Sequence, residues 1–316
     1  MDAPMAQVVS VVIVCMNRPD ILFPCLDSLR DGNAEAVLET FVVAYRFTPG
    51  NLSALRERYP WVTVVVSDGI RGFSENNNLA LRQVRGAFCF VVNDDTLLPP
   101  GLVSGLVEDF GKLPPDAAAV SPCIRFASGK VQTCGRAPWT AGRYVKHYLH
   151  RVDETEPTPW SMQEGLFRTW TLNGACFLAR TSAFREAGWF DERFFFTPED
   201  IALGQLFNAL GHTVWADAAL SITHLAGGSV SRMEPAIKPA RVRGALIYYG
   251  DGKWLRTFAL GLFIWSFELL RAGKYLLAHR PAGSRNDVMF RTACHVLRTA
   301  FSKATPKELF IRFSRL

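Results

Sequence analysis

Hydrophobic positions fall alternately into short continuous runs and into helical spacing. Residues 8–14 (VVSVVIV) form an apolar run of the kind a parallel strand makes when both its faces are covered. Pro19 and Asp20 then read as a helix start, with Leu22, Leu26 and Leu29 following at helical spacing. Pro24 falls inside that helix and predicts an irregular first turn. Further strands are predicted over 41–45, 61–67 and 87–92, and helices over 51–58 and 75–84. This rhythm means βαβ units and a mostly parallel sheet. Ligands of such sheets sit beyond the carboxyl ends of the strands, and Asn17, Asp68, Asp94 and Asp95 all fall at such ends.

From 121 to 170 the pattern is irregular and rich in Trp, Tyr, Arg and Gly, which predicts loops and short strands over the site. Order returns with a strand over 169–179, a helix over 201–210 that Gly211 terminates, and a strand over 212–217. Beyond Met233 the character changes. Residues 254–277 are apolar but interrupted by Arg256, Glu268 and Arg271, and the charge-free stretch between Arg256 and Glu268 is 11 residues. A bilayer span needs roughly 20, so the segment is not a transmembrane helix. Aromatic and basic residues mixed along apolar helices suit a segment lying in the membrane interface plane. The alternative is a helical subdomain packed on the body of the protein or on a twin subunit. The expected division is a body over 1–235 and a basic amphipathic helical tail over 236–316.

Charge placement sharpens that division. Residues 232–316 hold 16 Lys/Arg and 5 Asp/Glu, a net +11; the other 231 residues hold 19 and 24, a net −5. Such asymmetry points to an anionic partner for the tail. Its Phe, Leu and Trp density fits an anionic membrane better than nucleic acid. The chain has 316 residues, 49% of them apolar and 20% charged, which excludes wholesale disorder and allows one large α/β domain with an appendage. Seven cysteines without a C-x-x-C pair read as reduced thiols of a cytosolic protein. The opening MDAPMAQ lacks the positive region of a signal peptide.

Three segments carry candidate chemistry. FVVNDDTLLPPG (90–101) delivers two adjacent carboxylates to a strand end. Like charges side by side repel unless a cation offsets them, and hard oxygen ligands suit Mg²⁺ or Mn²⁺ bridging phosphates. An Asp-rich turn capping the next helix would look similar. Glu199 and Asp200 stand just ahead of a helix, where the helix dipole alone would favour them. HLAGGS (224–229) sets His224 after a strand, before a Gly pair.

Taken together and in order, these segments resemble the family 2 glycosyltransferases across about 220 residues. VSVVIVCMNRPDILFPCLDSL resembles the family's opening strand, Asn-Arg-Pro turn and helix, which implies that Asn17 and Arg18 lie at the donor. GFSENNNLAL (72–81), with Gly72 and Asn78, looks like its Gly-Phe…Asn-Asn segment, and NDDT like its Asp-x-Asp donor motif. LNGACFLARTSAFREAGWFDERFFFTPED resembles the stretch from the Gly-Ala strand to the Glu-Asp base motif, and HLAGGS the closing His-x-x-Gly-x-Ser. The bacterial rhamnosyltransferase-like branch is the most similar in character. One place departs: where the family has Asp-Asn-x-Ser after its second strand, this chain reads Ala44-Tyr45-Arg46-Phe47. Tyr45 stacking on the base, or Asp68 accepting from it, would serve instead.

The resemblance implies a GT-A fold, a Rossmann-like α/β domain with a mostly parallel central sheet and here a C-terminal helical extension. It also implies an inverting reaction from a nucleoside-diphosphate sugar to a glycan or lipid-linked acceptor, in bacterial cell-surface polysaccharide synthesis. By match to its motifs, Asp95 ligates the metal and Asp94 meets the ribose or a metal-bound water. His224 completes the metal shell or touches the diphosphate. Asp200 is the catalytic base, and Glu199 orients the acceptor beside Gly174 and Ala175. The expected place is the cytoplasmic face of the membrane, held peripherally by the tail, with a homodimer built on that tail as the alternative. A catalytically inactive GT-A-like scaffold is the rival from another class. The altered segment after the second strand favours it, and the intact carboxylates oppose it. A nucleotidyltransferase is disfavoured, since Cys15-Met16-Asn17 offers neither a Gly-rich phosphate loop nor a Lys.

Overall fold

A computed structural model describes residues 8–225 and 233–314. Gly227, Gly228 and Ser229 of the HLAGGS segment lie outside the described residues. The first half builds β1 (Val9–Cys15), α1 (Pro19–Asn33), β2 (Val37–Tyr45), α2 (Pro49–Arg58), β3 (Val62–Ser67), α3 (Phe73–Leu81) and β4 (Phe88–Asn93). Next come β5 (Thr96–Leu97), α4 (Leu102–Lys112), β6 (Ala117–Phe126), β7 (Val131–Thr133), α5 (Ala141–Tyr148), β8 (Leu166–Thr169) and β9 (Cys176–Arg180). Then follow α6 (Thr181–Glu186), α7 (Glu199–Ala209), β10 (Thr213–His224), α8 (Glu234–Gly250), α9 (Trp254–Leu276), α10 (Arg285–Thr299) and α11 (Pro306–Ser314).

The sheet runs β3-β2-β1-β4-β9-β6-β10-β5. β3, β2, β1 and β4 are parallel, β9 is antiparallel between β4 and β6, and β10 is parallel to β6. The chain winds outward from β1 to β2 and β3, then returns to its other side at β4. That reversal opens a crevice at the carboxyl ends of β1 and β4. The alternation of β1 explains its apolar run: Val9, Val11 and Ile13 enter one core with Leu22 and Leu26 of α1, while Val12 enters another with Leu81, Phe184 and Phe207. Each such side chain, fully buried, contributes roughly 1.5–3 kcal/mol. Pro24 lies within α1, and the helix runs through it from a regular start at Arg18.

The region from 121 to 170 is where the sequence reading falls short. β6 is a ten-residue central strand whose first eight residues are buried, not a loop. Its Ala117-Ala118-Ala119 start has weak strand preference, and Pro122 argues against a central strand. The proline fits because β10 breaks register there, pairing Asp217 with Pro122 and then Ser221 with Cys123. The strand expected over 169–179 begins only at Cys176, and the residues before it form a loop. All seven cysteines are free, six of them buried.

The tail packs on the body through two apolar clusters. Trp139 and Ile201 meet Val242, Leu246, Tyr249 and Ile264, and Phe195 meets Ile237, Ala240, Phe310 and Phe313. α9 buries Leu260, Gly261, Ile264, Glu268 and Ala272. Its other side leaves Leu255, Phe258, Leu262, Leu269 and Leu276 exposed, a spacing that keeps them on one stripe. No helix among the described residues is long and apolar enough to cross a membrane.

Candidate active site

β4 carries Asn93 to the crevice, and Asp94 and Asp95 follow at its mouth. Burial pushes Asp94 up to about 6; the Asp95 charge adds to this, while a hydrogen bond from Cys15 and the Arg18 charge oppose it. β10 pairs with β5 so that His224 lies opposite Thr96. This sets His224 Nε2 3.0 Å from Asp95 Oδ1, while its Nδ1 lies 2.8 Å from Gln132 Oε1. Among the described residues, no group of three or more His, Cys, Asp or Glu side chains is placed to hold a metal ion. What Asp95 and His224 offer is an open pair of donors, with Asp94 next to it in the chain. The pair fits a divalent cation held between protein and phosphate, as Mg²⁺ and Mn²⁺ commonly are.

The second centre begins at α7. Asp200, in its first turn, accepts at Oδ1 from Ile201 N (2.8 Å) and at Oδ2 from Gly174 N (3.2 Å) and Arg136 Nη1 (2.8 Å). Arg136 also reaches Glu154 and lies over the Trp139 ring. A carboxylate offers about four acceptor positions. Three are taken, which leaves one for the cavity of about 750 Å³ that Asp200 lines.

The two centres are joined by one dipeptide. Asn93 N donates to Ala175 O (2.9 Å), and the neighbouring Gly174 N holds Asp200. The strand end bearing Asp94–Asp95 and the carboxylate facing the cavity are thereby fixed to each other. Gly174 and Ala175 are buried and act as this link; neither lines the cavity.

A sequence model described as "Glycosyltransferase like family 2" matches residues 6–234. The chain belongs to glycosyltransferase family 2. The O-antigen biosynthesis protein RfbC of Myxococcus xanthus is 28% identical over 73% of this chain, but the match spans only 18% of that protein. The N-acetylglucosaminyl-diphospho-decaprenol L-rhamnosyltransferase of Mycobacterium tuberculosis is 25% identical over 65% of this chain and 72% of its own length. Among solved structures, GalNAc-T7 with UDP, GalNAc and Mn²⁺ superposes with a TM-score of 0.57 at 13% identity, covering 94% of this chain and 56% of that one. The mannosyltransferase PcManGT of Pyrobaculum calidifontis, with GDP-Man and Mn²⁺, gives 0.54 at 18% identity, covering 99% and 81%. The fold is the GT-A fold.

The other residues singled out in this family 2 chain have varied surroundings. Asn17, at φ 52°, ties two turns together by accepting from Thr48 N (3.0 Å) and Asn51 Nδ2 (2.9 Å). Arg18 pairs with Asp20 near Asp94. Tyr45 ends β2 with its hydroxyl accepting from Arg71 N (3.4 Å), and Asp68 is exposed after β3. Gly72 begins α3 where a Cβ would stand 2.3 Å from Phe195 O, so the position is set by backbone approach. Asn78 is fully buried, bonding both ways with Phe190 and donating to Glu192, and has no surface to offer a donor sugar. Sequence reasoning missed Arg136 as the partner of Asp200, since 64 residues separate them.

Glu199 differs sharply from its neighbour. It is buried, does not line the cavity, and leaves Oε2 without a hydrogen bond. Burial, reinforced by the Asp200 charge, pushes it up to about 8. Between the ordinary carboxyl range and that value, the folded state holds a proton that the unfolded chain releases. Stability therefore falls as pH rises through this window. Glu199→Gln cannot titrate, so its melting temperature should gain on the wild type between pH 5 and pH 8. Parallel melting curves across that range would refute the assignment.

Proposed function

We propose that the chain is an inverting enzyme that moves a sugar from a nucleoside-diphosphate donor to a hydroxyl of a glycan or lipid-linked acceptor. The setting is bacterial cell-surface polysaccharide synthesis. The observation that carries this reading is the Gly174–Ala175 link, which holds Asp200 and the Asp94–Asp95 turn in one assembly. Asp95 and His224 would hold Mg²⁺ or Mn²⁺, with Asp94 beside them meeting the ribose or a metal-bound water. When bound, the ion supplies Lewis-acid stabilisation of the leaving diphosphate. Arg18, Tyr45 and Asp68 lie along the same edge to receive the nucleotide.

Inversion by direct displacement needs a base opposite the leaving group. Asp200 takes the acceptor hydroxyl proton at its remaining acceptor position, while Arg136, Gly174 and Ile201 hold the carboxylate in place. Glu199 is buried away from the cavity, so it does not touch the acceptor there. The names of the relatives, one of which acts on a diphospho-decaprenol sugar, support a lipid-linked acceptor. NMR of the transferred sugar tests the stereochemistry: inversion at the anomeric carbon is expected, and retention would overturn the mechanism.

A lipid-linked acceptor requires the enzyme at a bilayer, and α9 supplies the contact. Leu255, Phe258, Leu262, Leu269 and Leu276 form the exposed apolar stripe, with Lys253 and Arg256 exposed at its start. Each basic residue near an anionic surface adds about 1 kcal/mol. Deleting residues 236–316 would uncover Trp139, Ile201 and Phe195, so substitution is the cleaner test. The full chain should float with anionic vesicles, and Leu262→Glu with Leu269→Glu should abolish flotation. Unchanged flotation of that variant, or none by the wild type, would remove the membrane from the account.

A further inference from the structure

The tail's share of the 750 Å³ cavity is chemically unlike the body's. On the body side, Arg136 is matched by Asp200 and Glu154. On the tail side, α8 contributes Lys238 and Arg241, α9 contributes Arg271 and Lys274, and Arg285 opens α10. The carboxylates paired with this wall are Glu234 and Glu268. Lys238 Nζ and Arg271 Nη1 converge on the same oxygen, Glu268 Oε1, at 2.8 and 2.9 Å, and Arg241 lies 3.7 Å from Glu234. Five cations against two carboxylates leave a net +3 on one wall. Lys274 and Arg285 have no carboxylate partner among the described residues.

Lys274 and Arg285 are exposed, and with the paired cations they concentrate positive charge at a recess lined also by Tyr148, Phe267, Tyr275 and Met289, which favours an entering anion. Position adds a second constraint. Lys274 stands three residues before the exposed Leu277, at the carboxyl end of α9. Asp200 and this cationic wall line one cavity, so an acceptor whose hydroxyl meets Asp200 has the cations within the same recess.

We infer that Lys238, Arg241, Arg271, Lys274 and Arg285 form a phosphate subsite for the phosphate or diphosphate that joins the acceptor's sugar to its hydrophobic chain. The inference rests on the reading of Asp200 as the base facing the acceptor. The tail is then part of the substrate site, and the acceptor is a glycosyl phosphate or diphosphate instead of a neutral glycan. Lys274 and Arg285 engage it most freely, because they surrender no ion pair on binding. Glu268 keeps Lys238 and Arg271 extended toward the cavity.

The test compares two acceptor probes by calorimetry on the full chain, with chelator present so that no metal-bridged diphosphate forms at Asp95. One probe is N-acetylglucosamine linked through a diphosphate to a short alkyl chain; the other is the alkyl glycoside of the same sugar. The Lys274→Ala, Arg285→Ala double variant should lose about tenfold or more in affinity for the diphosphate probe and none for the glycoside. Lys274→Arg with Arg285→Lys should restore most of the loss, which a merely structural effect would not allow. Equal binding of the diphosphate probe by wild type and double variant overturns the subsite. So does a double variant that keeps the probe but loses flotation with phosphatidylglycerol vesicles, because the cations then serve bilayer headgroups. Failure of the wild type to bind any nucleotide sugar with Mn²⁺ would instead strike the glycosyltransferase reading itself.

Discussion

Asp200→Asn should lower the turnover of sugar transfer by about 10²–10⁴-fold, the usual contribution of a positioned general base. The amide cannot take the acceptor proton, and its NH₂ group must also face either the Ile201 N–H or the Gly174 N–H and Arg136 together. Some loss of thermal stability is therefore expected together with the loss of turnover. Donor affinity separates the two effects. Asp200 is joined to the Asp94–Asp95 turn through the backbone of the Gly174–Ala175 link, so nucleotide-sugar binding with Mn²⁺ should survive in the variant. Near-normal turnover would move the base elsewhere in the cavity.

Asp95→Ala should weaken metal-dependent donor binding by at least about 100-fold, on the order of the several kcal/mol a bound divalent ion supplies. The change removes the carboxylate beside His224 Nε2 and leaves Asp94 in a pocket that already opposes its charge. Calorimetry with and without chelator reads the effect. Wild-type affinity should collapse on chelation, whereas the variant should show little further change. Equal nucleotide affinity in all four conditions would exclude the cation from donor binding.

Much of this arrangement is legible in the sequence because it depends on short-range pattern. The apolar run of β1, the period of α1 and the strand-end position of Asp94–Asp95 follow from neighbours in the chain. The order of motifs through Asp200 then gives the family. β6 is hidden because its alanines and Pro122 carry no strand signal, and only the register break in β10 makes room for the proline. Arg136 is hidden for another reason: a lone Arg in an irregular stretch says nothing of a carboxylate 64 residues away. The role of Glu268 is likewise invisible. In sequence it interrupts an apolar helix, while in the fold it gathers Lys238, Arg271 and the Tyr148 hydroxyl. Asn78 shows the converse, since a motif match does not reveal that both ends of its amide are engaged inside the core.

The central claim is that this chain activates a nucleotide sugar at the Asp94–Asp95 turn. The most direct measurement is release of nucleoside diphosphate from a panel of nucleotide sugars, by wild type and Asp95→Ala, with Mn²⁺ or with chelator. The wild type should release product from at least one donor, with Mn²⁺ present and not with chelator, and Asp95→Ala should release almost none. Release that ignores both the chelator and the substitution, or no release from any donor, would contradict the account.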